Sequence, residues 1–175
     1  ISGIFYLWIY HGLRYGYEAE RPSTETFETV STEETITQEF IAREYYLKGI
    51  EFVFINLAED GNGELDFRVL DSDGRIKANS EIAISSVTAG EWEFIPLMGR
   101  LKAGESYILE ISAKDCSIPP YVLAREKGTV GENTVLTASG AETSLELLNA
   151  YGFAVSASRL ERLLITVMLA VCLFG

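Results

Sequence analysis

Gly63-Glu64-Leu65-Asp66-Phe67-Arg68-Val69-Leu70-Asp71-Ser72-Asp73-Gly74 decides the fold class of this chain. Leu65, Phe67 and Val69 alternate with Asp66 and Arg68, so one face of the segment is apolar and the other polar. A period of two over this length is a half-buried β-strand. Asp71-Ser72-Asp73-Gly74 closes it as a hairpin turn, because Asp carboxylates bond to nearby amides and Gly accepts a positive φ without steric cost.

The pattern continues on both sides. Trp92 and Phe94 alternate with Glu91 and Glu93, and Tyr107, Leu109 and Ile111 alternate with Glu110 and Ser112. Shared parity predicts that Trp92 with Phe94, and Tyr107 with Leu109 and Ile111, face the core. Gly49 to Leu57 (GIEFVFINL) is apolar on both faces after Glu51, as expected of a central strand covered on both sides. Glycine-bearing turns punctuate the runs at 59–63, 89–90 and 102–105. Strands of roughly six to nine residues at short, even spacing predict an all-β domain, an antiparallel jelly-roll β-sandwich. No long amphipathic helix interrupts them, which argues against a nucleotide-binding α/β fold. The stretch from Thr143 to Leu148 fits a helical turn and a late strand equally well.

The chain has 175 residues, enough for one ordinary domain. Its 26 Asp and Glu against 14 Lys and Arg leave a net charge of −12, which argues against a nucleic-acid or anionic-lipid binding face built on clustered bases. The ends differ from the acidic middle. Ile1 to Tyr10 (ISGIFYLWIY) and Leu163 to Gly175 (LLITVMLAVCLFG) carry no charge. Each is shorter than the roughly 20 apolar residues that cross a bilayer as a helix, but each abuts a chain end and is read as half of a span. Tyr6, Trp8 and Tyr10 suit the headgroup level. The expected organisation is the end of a transmembrane helix at 1–15, an acidic linker at 16–35 that passes into an edge strand, a β-sandwich at 36–157, and the start of a second transmembrane helix at 158–175. Arg14, Arg159 and Arg162 flank the middle, but the positive-inside rule covers loops up to about 60 residues, so charge does not assign its side.

Residues that could carry chemistry are few. His11 is the sole histidine and sits at the edge of the first apolar run, where an interfacial side chain accounts for it. Histidine-based catalysis and metal binding lose their main residue type. Cys116 and Cys172 lie in different settings and are not expected to pair; Cys116 reads as a small packing residue. Asp60, Asn62 and Glu64 are spaced like the first ligands of a calcium loop. The sixth position is Leu65 instead of Gly and the twelfth is Asp71 instead of Glu, so the loop reads as a turn, with no metal or cofactor expected. Glu18 and Glu20 stand just past the first apolar run and are the candidate catalytic carboxylates, although an acidic, solvated linker explains them as well. Tyr45, Tyr46 and Tyr121 remain as rings on which a sugar could stack.

Leu47-Lys48-Gly49-Ile50-Glu51-Phe52, the Gly63 to Gly74 stretch, Trp92-Glu93-Phe94 and Gly104-Glu105-Ser106-Tyr107-Ile108-Leu109-Glu110-Ile111 follow one another in a distinctive order. This order, over about residues 40–155, resembles the jelly-roll, carbohydrate-binding-module-like domain inserted after an early transmembrane helix in bacterial polytopic membrane proteins. Those include glycosyltransferase-like proteins linked to surface polysaccharide. The resemblance implies an extracytoplasmic, non-catalytic module that binds glycan or acts as a scaffold, with membrane lipid and glycan as partners and no nucleic acid. The alternative is a part of a membrane glycosyltransferase that uses a lipid-linked sugar donor, with Glu18 or Glu20 in its active site.

Overall fold

In a computed structural model, residues 13–14, 26–58, 61–126 and 135–156 are described. The strand that opened the sequence reading is β5 (Glu64–Leu70), and Leu65, Phe67 and Val69 on it are fully buried while Arg68 is exposed. The expected hairpin turn leads into β6 (Ile76–Ala83). The Gly74 amide donates to the Asp71 carbonyl, the Asp71 carboxylate accepts from the Asp73 and Arg75 amides, and Gly74 takes φ 76°.

Two antiparallel sheets pack face to face, giving an all-β sandwich. One sheet runs in the order β11 (Ala141–Thr143), β10 (Leu136–Ala138), β3 (Ile36–Ile41), β8 (Ser106–Lys114), β5, β6. The other is built on β4 (Tyr46–Ile55), which pairs with β7 (Trp92–Arg100), β13 (Asn149–Ser156) and β9 (Tyr121–Glu126). Further strands add to β9, namely β2 (Glu28–Ser31) and β12 (Leu145–Leu147), and β1 (Leu13–Arg14) adds to β13. β4 is the strand expected to be covered on both faces, and every residue from Gly49 to Phe54 is buried. Between the sheets the rings of Phe52, Phe54 and Phe67 pack with centroids 5.8–6.3 Å apart, within the range of favourable aromatic contacts. Gln38 of β3 spans the gap as a buried polar bridge, accepting from the Leu147 amide at 2.6 Å and donating to the Tyr151 hydroxyl at 3.4 Å.

One expectation changes, and one open alternative is decided. Tyr107 is buried as expected, but Phe94 is 46% exposed and Trp92 only half-buried. β7 turns the opposite parity inward: Ile95 pairs with Ile50 of β4, and Ile95 and Leu97 enter the core. The stretch from Thr143 to Leu148 is extended and contributes β12, because pairing with β9 supplies the backbone partners that a helical turn would have made locally. Within the 16–35 stretch, read as a linker that passes into an edge strand, β2 starts at Glu28 and buries Val30, with Thr32 buried just beyond it.

At the front of the chain, Leu13 and Arg14 are strand, paired with Ser156 and Val155. The rest of the expected helices at 1–15 and 158–175 lies outside the described residues. Among the described residues no helix is long and apolar enough to cross a membrane.

The strand registers define the two ends of the sandwich. Tyr46 pairs with Arg100 and with Ala154, Ile41 with Ser106, Leu70 with Ile108, and Leu13 with Ser156. The loops 42–45, 71–75 and 101–105 therefore share the end from which both outer segments of the chain leave; this is the exit end. Loops 32–35, 84–91 and 115–120, with residues 56–58 and 61–63, make up the far end.

Candidate functional site

The exit end is a stitched surface. The Ala42 amide donates to the Glu105 carbonyl at 3.0 Å, the Gly104 amide to the Ala42 carbonyl at 2.7 Å, and the Leu101 amide to the Tyr45 carbonyl at 2.8 Å. Ala42 and Leu101 are buried beneath these bonds, and the Tyr107 hydroxyl accepts from the Lys102 amide at 2.9 Å. Two loops distant in sequence thus form one platform held by backbone bonds, whose partners fix its shape. Tyr45 and Tyr46 stand on it, 50% and 37% exposed, with Arg43, Arg100 and Lys102 exposed beside them and Ile41 at its edge.

Tyr121 does not join them. It pairs with Ile55 at the other end of β4 and is half-buried. The length of ten-residue β4, about 30 Å at roughly 3.3 Å per residue, separates Tyr121 from Tyr46. Trp92 also lies toward the far end, opposite Val53. The three tyrosines singled out in the sequence therefore do not form a single stacking face.

Electrostatics differ between the ends. At the exit end the acids of the 71–75 and 101–105 loops are met by bases: Lys77 reaches Asp71 at 2.8 Å, Arg75 reaches Asp73 at 3.1 Å, and Lys102 reaches Glu105 at 2.9 Å. Asp71 is held at about 2 by its bond to Lys77 and then by the amides of Arg75 and Asp73. The bond to Glu105 raises the Lys102 ammonium above its usual value. Burial lowers that of Lys48 nearby.

The far end is acidic. Glu33, Glu34, Glu64, Glu81, Glu91 and Asp115 are all exposed there. Next to them, buried Asp66 accepts from Arg68 at 2.6 Å and meets Lys114 at 2.9 Å, which raises the Lys114 ammonium. Glu64 is raised by its hydrogen bond and repulsion with Glu81.

No protein-family model matches this chain, and no curated protein matches it. The chemistry of the site therefore rests on its own residues. Among the described residues no group of three or more His, Cys, Asp or Glu is placed to hold a metal ion. The Asp71 carboxylate is taken up by its own turn. Cys116 is half-buried against the core, with Sγ 3.2 Å from the Lys114 carbonyl; a Cβ on Gly63 would lie 2.5 Å from that sulfur, so the thiol acts in packing. Glu18, Glu20, His11, Asp60 and Cys172 lie outside the described residues. Sequence reasoning found Tyr45 and Tyr46 but missed Arg43, Arg100 and Lys102. Nothing local marks these bases, because only the register of β4 against β7 and the bonds between two loops bring them together.

Proposed function

We propose that this chain is a non-catalytic jelly-roll module of a membrane protein, carried on the extracytoplasmic side by an apolar segment at each end and serving as a scaffold in cell-envelope polysaccharide metabolism. The observation that supports this reading is the pairing of Leu13 with Ser156. A domain inserted between two membrane segments must receive and return its chain at one place, and antiparallel β1 and β13 do so at a single end of the sandwich. The uncharged runs 1–10 and 163–175 lie beyond these two strands in the sequence. Scaffolding is favoured over glycan recognition because Tyr45 and Tyr46 lie a strand length away from Tyr121, so the rings offer no shared sugar platform.

The test uses the full chain expressed in bacterial membranes. The expected result is retention in the membrane fraction after alkaline extraction, with protease cutting the sandwich only from the periplasmic or external face. Release by alkaline extraction, or cutting from the cytoplasmic face, overturns the reading.

A further inference from the structure

We infer that the exit end of the sandwich is a lipid-facing surface that docks on anionic headgroups through Arg43 and Arg100, with Tyr45 and Tyr46 at the headgroup level. The inference rests on the membrane reading above and adds a surface, a partner chemistry and an orientation to it.

A net charge of −12 argued against such a face in the sequence, but that total hides a segregation along the strands. Six exposed acids crowd the far end, Glu33, Glu34, Glu64, Glu81, Glu91 and Asp115, of which Glu81 meets Lys114 at 3.6 Å. Of the acids in the exit-end loops, Asp71, Asp73 and Glu105 each take up a base (Lys77, Arg75 and Lys102), Glu44 meets none among the described residues, and Glu39 stands nearby on β3, bonded to Ser106. The two ends thus differ in charge: acids and bases balance where the chain enters and leaves, and acids prevail at the far end. A bilayer bearing anionic lipid repels the acidic end and meets, at the other, the exposed Arg43 and Arg100.

The neighbouring side chains suit the same surface. Tyrosine is amphipathic, with an apolar ring and a hydroxyl that prefers water, and is enriched where membrane meets solvent. Two adjacent exposed tyrosines, with Ile41 at 49% and Met98 at 79% exposure close by, give the end an apolar fringe among its bases. The partner is also specified by where the chain goes: the stretches before Leu13 and after Ser156 leave from this end and lead into uncharged runs. A surface from which two apolar segments depart is the one presented to whatever those segments enter.

Amide hydrogen exchange of the full chain reconstituted into vesicles tests this. One set of vesicles is zwitterionic, and the other contains phosphatidylglycerol. The expected result is slower exchange at residues 42–46 and 100–105 in the phosphatidylglycerol vesicles, relaxing in high salt, with residues 84–91 and 115–120 unchanged. Each basic residue near an anionic surface contributes about a fivefold bias toward the docked state, so Arg100→Glu, and more so Arg43→Glu with Arg100→Glu, should remove most of the slowing. Unchanged exchange in the far-end loops of these variants shows that they remain folded. Exchange at the exit end that ignores lipid charge, or protection at the far end instead, overturns the inference and leaves the membrane reading standing. Protection of the same loops by added oligosaccharide in neutral detergent, without lipid charge dependence, assigns the surface to glycan and also overturns it. A chain that fails to float with either vesicle overturns the membrane reading, and the inference with it.

Discussion

Arg125 Nε lies 2.6 Å from Glu146 Oε1, the two side chains facing each other directly across the β9–β12 ladder at 12% and 7% exposure. A charge pair this deep owes its stability to the partner, because either charge alone would be left desolvated. Glu146→Ala or Arg125→Ala is expected to destabilise the fold by about 3–5 kcal/mol. Replacing both at once, Arg125→Met with Glu146→Leu, should recover most of that loss. Urea unfolding of the three variants checks this, and a double variant as weak as the singles would show that the pair also has a role in specifying register.

Asp71 gives the fold a defined acid response. Its carboxyl is held at about 2, below the ordinary 3.8, first by Lys77 and then by the Arg75 and Asp73 amides. A group depressed on folding contributes stability that is complete above its unfolded value and lost as pH falls through its folded one. Wild type should therefore exceed Asp71→Asn in urea midpoint by a constant margin at neutral pH, and the margin should shrink between 3.8 and about 2. A margin independent of pH in that window would remove the carboxylate charge as its cause.

Glu64 should act in the opposite direction. Its carboxyl is raised because Glu81 shares a hydrogen bond with it and repels its charge. Stability from a raised acid is present below the unfolded value, 4.5 here, and is lost as pH rises through the folded one. Glu64→Gln is thus expected to melt higher than wild type at neutral pH and to lose that advantage in acid. Thermal unfolding across pH measures it, and a Glu64→Gln protein less stable at neutral pH would contradict the repulsion.

Gly49 leaves no space for a side chain. A Cβ there would lie 2.4 Å from the Ile95 carbonyl oxygen and 2.5 Å from the Phe94 ring. Gly49→Ala should cost about 1–3 kcal/mol by overpacking, measured by denaturant unfolding. Removing the ring as well, with Phe94→Ala, should not rescue it, since the carbonyl belongs to the β7 backbone.

The strands of this protein were legible because their signals are local. Alternation in Leu65, Phe67 and Val69, the apolar run of β4, and the Asp71 to Gly74 turn are properties of neighbouring residues, and the structure keeps each of them. The facing of β7 was not legible, because Trp92 with Phe94 and Ile95 with Leu97 offer opposite phases of one alternation. Pairing of Ile95 with Ile50 selects between them. The same holds at the candidate site, where Tyr45 and Tyr46 stood out as aromatic residues while Arg100 carried no mark.

By itself, then, the sequence determined the all-β class and its turns, since backbone period and turn chemistry act over a few residues. Only the tertiary structure decided which face of β7 meets the core, that Tyr46 stands opposite Arg100, and that Leu13 stands opposite Ser156. Each of these depends on the register between segments far apart in the chain, which is set by how the two sheets bury their apolar faces together.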